Sequence, residues 1–263
     1  MSNSQPIGFF DSGVGGTSIW KEVIQLLPME NSIYLADSKN APYGEKSKKE
    51  IIDLSVKNTD KLLDMGCKII VVACNTATTN AIKWLRANYD VPFIGIEPAI
   101  KPAALQSKTK SIGILATKGT LSSDLFAKTS ELYSKDIEIT EVVGHGLVKL
   151  IEEGNLESIE MNALLIDLVQ PFLKKEIDCL VLGCSHYPYL LPQLKSILPK
   201  EVAIIDSGEA VAKQTRNVLK ELDLLNLSIE TPNHLLYTNS DKEVLANLAH
   251  TSNINAQIFE AEF

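Results

Sequence analysis

Two stretches of this chain end alike, and together they constrain the fold more than any other feature. Ile69-Ile-Val-Val-Ala-Cys74-Asn75-Thr76 is an apolar run closed by a thiol and two small polar residues. Cys179-Leu-Val-Leu-Gly-Cys184-Ser185-His186 repeats it, 184 − 74 = 110 residues later. Unbroken apolar runs of this length suit strands buried on both faces, which are typical of parallel sheets. A thiol at the C-terminal end of such a strand, beside a helix N-terminus, sits where a thiolate is stabilised.

The surroundings of the two runs repeat as well. Strand, loop and helix over 7–27 return at 112–132, and helix, strand and cysteine over 47–76 return at 158–186. In the first unit, Ile7-Gly-Phe-Phe10 reads as a strand and Asp11-Ser12-Gly13-Val14-Gly15-Gly16 as a tight glycine-rich turn. A helix then runs to Pro28, followed by a strand over 31–36 ending at Asp37 and a Pro/Gly loop over 38–44. Ser47-Lys-Lys-Glu50 has the spacing of a capping box. In the second unit, 111–115 reads as a strand, Ala116-Thr117-Lys-Gly-Thr120 replaces the glycine turn, and a single helix spans 121–132. A strand over 137–143, a short helix carrying Glu152 and Glu153, and a helix over 158–174 lead to the second cysteine run. Glu97-Pro98 opens a loop, and the tail holds strands near 235–238 and 256–259 with a helix near 241–248.

Strands alternating with helices imply an α/β fold with mainly parallel sheets. The repetition implies two similar α/β domains related by a pseudo-twofold, with their strand C-termini facing a cleft. Ligands in such sheets sit outside the carboxyl ends of the strands. Asp11, Asp37, Cys74, Thr117 and Cys184 all stand at such ends.

Paired thiols in facing domains suit proton transfer on both faces of one carbon. A free cysteine has a pKa of about 8.5, so modest tuning makes both of its protonation states available near neutrality. Redox chemistry usually places its thiols in C-x-x-C, which is absent, and no C-x-x-C or H-x-x-x-H pair completes a metal site. Cys67 and Cys179 stand at strand beginnings and read as small core hydrophobes. Asp11 is a helix cap or a catalytic carboxylate, and its place in the layer of Cys74 favours the second. His186, two residues after Cys184, is placed to handle protons. Asn75, Thr76 and Ser185 suit N-caps, and the same geometry presents N–H groups to a carboxylate.

The formal net charge of −8 argues against nucleic acid and anionic membranes as default partners. No apolar run approaches the ~20 residues of a membrane span. The first residues lack a basic segment followed by an apolar one, so a reducing cytoplasm is the expected location.

These residues together resemble the cofactor-independent aspartate/glutamate racemase superfamily, and within it the glutamate racemases. The resemblance covers nearly the whole chain. It rests on Phe-Asp11-Ser12-Gly-Val-Gly-Gly16, Asp37-Ser with Pro42-Tyr43-Gly44, Ala-Cys74-Asn75-Thr76-Ala, Ile-Glu97-Pro98-Ala, Ala-Thr117, Ile151-Glu152 and Leu-Gly-Cys184-Ser185-His186-Tyr-Pro188. The first loop favours glutamate over aspartate. The resemblance implies that Cys74 and Cys184 are the acid/base pair, that Asp11 assists the first, and that Glu152 and His186 stand around the second. It implies substrate contacts at Asp11, Ser12, Tyr43, Gly44, Asn75, Thr76, Thr117, Ser185 and His186. It also implies no pyridoxal phosphate or other cofactor, no metal, glutamate as the small-molecule partner, a homodimer, and D-glutamate made for bacterial peptidoglycan. It suggests domains of 1–97 plus 209–263 and of 98–208. Ser185 stands where many members have Thr. Gly144-His145-Gly146 and Lys149 stand where many have a Cys-Pro and a second Pro, which leaves Glu153 as the alternative to Glu152. Racemisation of another acidic amino acid or a hydantoin, a two-domain binding protein with bystander thiols, and a thiol redox protein are the competing readings.

Overall fold

The computed structural model describes residues 3–250 and 254–263. The chain builds two parallel sheets. In the first, β1 (Ile7–Asp11) lies between β2 (Ser32–Ala36) and β3 (Ile69–Val72), and β4 (Phe93–Gly95) closes one edge. In the second, β5 (Ser111–Ala116) lies between β6 (Glu138–Val143) and β7 (Cys179–Gly183), and β8 (Ala203–Ile205) closes the edge. The order β2-β1-β3-β4 is therefore repeated as β6-β5-β7-β8. Two strands from the tail, β9 (His234–Thr238) and β10 (Gln257–Glu260), extend the first sheet beyond β2.

Pairing register makes the repeat residue-specific. Ile7 stands opposite Ile69 in the first sheet, and Ile112 opposite Cys179 in the second. Lys68 thus corresponds to Asp178, Cys74 to Cys184, and Asp11 to Ala116. β1, β2, β3, β5 and β7 are buried along their whole length, as unbroken apolar runs require.

The helices follow their caps. Ser47 and Glu50 form the anticipated capping box at the start of α2 (Lys48–Asp64), the helix after α1 (Thr17–Leu26). The Cys74 sulfur caps α3 (Asn75–Asn88), where Asn75 or Thr76 was the expected cap. Three segments differ from the sequence reading. The loop after Pro98 contains α4 (Ile100–Gln106), hidden by Pro98 before it and Pro102 within it. The single helix expected over 121–132 is two, α5 (Lys118–Leu121) and α6 (Asp124–Glu131), because Thr117 and Ser123 each cap a separate start. Cys184 is followed by a 3-10 turn over Tyr187–Leu190 before α9 (Leu191–Ile197), since Pro188 and Pro192 supply no N–H to a longer α-helix. Between them, α7 (Leu147–Glu152) and α8 (Ile159–Lys174) lie close to the expected spans.

One apolar cluster runs from Phe9, Trp20 and Val71 in the first half to Ile151, Leu180 and Tyr187 in the second. It joins the halves into one packed body and sets their strand ends against each other.

Candidate active site

The loop after β1 is folded around its own carboxylate. Asp11 is fully buried, and its Oδ2 accepts hydrogen bonds from the N–H of Gly13 at 3.3 Å and of Gly16 at 2.9 Å. Burial pushes the Asp11 carboxyl above its ordinary range, although His186 and the Gly16 N–H pull the other way. Glycine is required at 13 and 15 by close approach. A β-carbon on Gly13 would strike the Glu152 carboxylate, and one on Gly15 the His186 ring.

Cys74 is next to this loop. Its sulfur accepts from the Ala77 N–H at 3.4 Å, the interaction of a helix N-terminus with a thiolate. That help is outweighed. Burial, then the Asp11 charge, push the thiol well above its ordinary pKa, with Cys184 adding to the rise and Ser12 partly opposing it. Cys74 is therefore a thiol facing a carboxylate that can take its proton.

Cys184 has different company. Nδ1 of His186 stands 3.7 Å from its sulfur, and Nε2 stands 2.5 Å from Oε1 of Glu152. Burial pulls the His186 pKa down, but Cys184, Glu152 and Asp11 together lift it well above that of free imidazole. The ring is held between a sulfur and a carboxylate, and the Gly15 N–H points at the same Nε2 from 3.3 Å. Glu152 ends α7 and points inward, whereas Glu153 is half-exposed and lies 3.8 Å from Lys149 on the surface.

The two halves close on each other directly. Val14 N–H donates to Glu152 Oε1 at 2.7 Å, and the Ser185 hydroxyl donates to Asp11 Oδ1 at 3.1 Å. The Thr76 and Thr117 hydroxyls are 2.7 Å apart, with Thr120 in the same cluster. A β-carbon on Gly44 would come within 2.7 Å of the Thr117 side chain. Asp11, Ser12, Gly44, Cys74, Asn75, Thr76, Thr117, Glu152, Cys184, Ser185 and His186 are thus gathered at one junction. Tyr43 shares the loop, and its buried hydroxyl is engaged by Asp37, to which it donates at 2.6 Å, so the backbone of the 43–44 turn is what the loop offers a ligand most directly.

Two polar groups in this junction lack partners among the described residues. The amide oxygen and nitrogen of Asn75 are buried and unbonded, as is Oε2 of Glu152. A buried amide without partners is costly, and a carboxylate or ammonium ligand would satisfy it.

The thiols are closed off, at 4% exposure for Cys74 and 6% for Cys184. Outside them, a cavity of about 310 Å³ is lined by Gly44, Thr117, Lys118, His145 and Lys149 among others. The sequence reading gave no site role to the lysines at this mouth or to Thr120. Lysines on a surface carry no signal of position, but Thr120 follows Thr117 at one helical turn.

Two parallel sheets of the same order, meeting at their strand C-termini around a thiol from each, are the architecture of a racemase fold. The chain belongs to the Asp/Glu/hydantoin racemase family, whose model matches residues 16–215. Within that family it is similar to the glutamate racemase of Herpetosiphon aurantiacus, 45% identical over 222 residues that cover 84% of this chain and 87% of the relative. Among solved structures it resembles the Escherichia coli glutamate racemase in complex with L-glutamate and the activator UDP-MurNAc-Ala. That match has a TM-score of 0.83 and 31% identity, and covers 93% of this chain and 94% of the other. The Francisella tularensis glutamate racemase in complex with D-glutamate matches with a TM-score of 0.83 and 28% identity, over 98% of each chain.

Proposed function

We propose that the protein interconverts L-glutamate and D-glutamate by proton transfer at Cα between two cysteines, and so supplies D-glutamate for bacterial peptidoglycan. The observation that carries this reading is the presence of two strand-end thiols at equivalent positions in one buried junction, each with its own proton partner. The Herpetosiphon relative and the two glutamate-bound structures support the choice of substrate.

In this mechanism the thiolate of one cysteine removes the Cα proton, and the thiol of the other protonates the opposite face. Asp11 takes and returns the Cys74 proton. His186, held by Glu152, exchanges the proton of Cys184. The Asn75 amide, the hydroxyls of Ser12, Thr76, Thr117 and Ser185, and backbone N–H groups of the first loop and the 43–44 turn hold the substrate's carboxylates. Preorganised donors of this kind are the main means of stabilising a developing carbanion without a cofactor. Substrate entry exchanges the direct contacts between the halves, Thr76 with Thr117 and Ser185 with Asp11, for contacts to glutamate. We also propose that residues 1–97 with 209–263, and 98–208, move as two domains in this exchange. The working form is proposed to be a cytoplasmic homodimer, which sedimentation equilibrium distinguishes from a monomer. Among the described residues no helix is long and apolar enough to cross a membrane.

The test is turnover in D₂O. Each enantiomer should acquire deuterium at Cα as it is converted, and Cys74→Ala or Cys184→Ala should abolish racemisation. Full activity in either alanine variant would overturn the two-cysteine assignment. Turnover of aspartate or a hydantoin in preference to glutamate would overturn the substrate.

A further inference from the structure

Asp37, at the end of β2, is fully buried, and its carboxylate has three side-chain donors. The Tyr43 hydroxyl donates to Oδ2 at 2.6 Å. Asn40 Nδ2 donates to Oδ1 at 2.8 Å, and Asn239 Nδ2 donates to the same oxygen at 2.6 Å. Asn58 Nδ2 in turn donates to the Tyr43 hydroxyl at 3.1 Å. Asn40 and Tyr43 belong to the loop that Asp37 opens, and Asn58 to α2. Asn239 comes from 202 residues away, at the end of β9, and is itself buried. It holds the loop a second time, because its Oδ1 accepts the Lys39 N–H at 2.9 Å. The family match ends at residue 215, so Asn239 lies outside the segment that defines the family.

We propose that Asn239 is a positioning residue for the substrate. By clamping the Asp37 carboxylate and the Lys39 N–H together, it holds Tyr43 and so places the Gly44 backbone where it meets Thr117. The tail strands then complete the binding site as well as the sheet. The inference rests on the proposed binding role of the 43–44 turn. A charge-assisted bond from a neutral amide to a buried carboxylate is among the stronger hydrogen bonds, and removing its donor leaves a lone pair unsatisfied. The carboxylate then turns toward its remaining donors, and the Tyr43 ring moves with it.

Two substitutions separate positioning from simple stability. Asn239→Ala should raise KM for both glutamate enantiomers about five- to tenfold and change kcat less than about threefold, since a contact equal in ground and transition states is lost. Asn239→Asp keeps the size but sets a second carboxyl against Asp37. Two carboxyls this close hold one proton between them. The groups facing the pair are Tyr43, Asn40 and, through Tyr43, Asn58, while the Lys39 ammonium is engaged by Glu262 at the surface. With the shared proton in place the clamp is intact, and without it the carboxylates repel. KM of Asn239→Asp should therefore be close to wild type at about pH 6 and rise severalfold by about pH 9, a change absent from the wild-type profile. Should the alanine variant not fold, Asn239→Ser carries the same KM comparison. A folded alanine or serine variant with wild-type KM, or an aspartate variant whose KM follows the wild-type pH profile, overturns the proposal. A wild-type protein inactive on both glutamate enantiomers overturns the substrate reading instead.

Discussion

β3 and β7 hold the same place in their sheets, yet both of their ends are treated differently. At the top, Cys74 caps a helix and faces the carboxylate of Asp11, while Cys184 leads into a 3-10 turn and faces the His186 ring. The register explains part of the difference. The counterpart of Asp11 in the second half is Ala116, so no carboxylate is available from that strand. Charge reaches Cys184 from His186 and from Glu152 on a separate helix. At the bottom, Lys68 and its counterpart Asp178 part in the same way. Lys68 Nζ is buried against Glu30 at 2.7 Å and also donates to the carbonyls of Asn3 and Leu224. Asp178 is partly exposed and accepts from the Ser107 hydroxyl and from the N–H of Lys108 and Thr109. A repeated topology therefore carries two unrelated electrostatic designs. A reaction whose two directions begin from mirror-image substrates needs two acid/base groups, but it does not need them to be alike.

The largest effect that can break this comparison is at the thiols. Cys74→Ser and Cys184→Ser should each lower racemisation by about 10³-fold or more, because a hydroxyl replaces an acid/base group on which every turnover depends. If one serine variant keeps near-normal activity, the two sites are not partners in one reaction. The bottom ends come next. Lys68→Met leaves Glu30 buried without its cation and should cost about 3–5 kcal/mol of stability in urea unfolding, with residual activity in the folded fraction.

Asp11→Asn and His186→Asn should each lower kcat/KM by about 10²-fold. Enantiomers have equal free energy in water, so this loss must be the same in both directions for either variant. The sides are separated by isotope effects. With Cα-deuterated substrates, Asp11→Asn should enlarge the effect on kcat/KM for the enantiomer that Cys74 deprotonates, and His186→Asn for the other. The same enantiomer affected in both variants would show that Asp11 and His186 do not divide between the thiols. The pH profile sharpens the point. Asp11 must be ionised to accept a proton, and its pKa is raised, so wild-type kcat/KM should fall as pH drops through that raised value. The acid limb should be missing in Asp11→Asn. The His186 pKa is raised as well, so loss of its proton should add a separate fall on the alkaline side of the wild-type profile, and that limb should be missing in His186→Asn.

The smallest effect is at Asp178. Burial pushes its carboxyl up, but the hydrogen bonds from Ser107, Lys108 and Thr109 outweigh it and hold the pKa down at about 2. Its folded pKa is below the unfolded value of about 3.9, so its contribution is complete above about pH 4 and is lost as pH falls toward about 2. Asp178→Asn should cost no more than about 1 kcal/mol at neutral pH, given its solvent exposure, and flatten the acid side of the stability curve in that window.

Much of the site was legible from short patterns. The thiols, Asp11, Asn75, Thr117 and His186 stand at strand ends, where apolar runs stop and polar residues begin. α4 was not legible, because two prolines in and before it are loop signals as well as helix-start signals. Glu152 and Glu153 were not separable in the sequence. They differ only in the face of α7 they occupy at its last turn, and the second half must pack on the first before one of them meets Val14. Asn239 carried no signal, as its partners are an aspartate and a backbone N–H some two hundred residues earlier.

What the sequence determined alone is local in origin. Unbroken apolar runs, capping residues and turn glycines act within a few positions, so the strands, their order of appearance and the two strand-end thiols follow from them. Only the tertiary structure decided which charge each thiol meets. Val14 and Glu152 are 138 residues apart, and Ser185 and Asp11 are 174 apart. Those contacts exist because one apolar cluster draws two sheets together, and where the sheets come to rest is set by all of that packing at once.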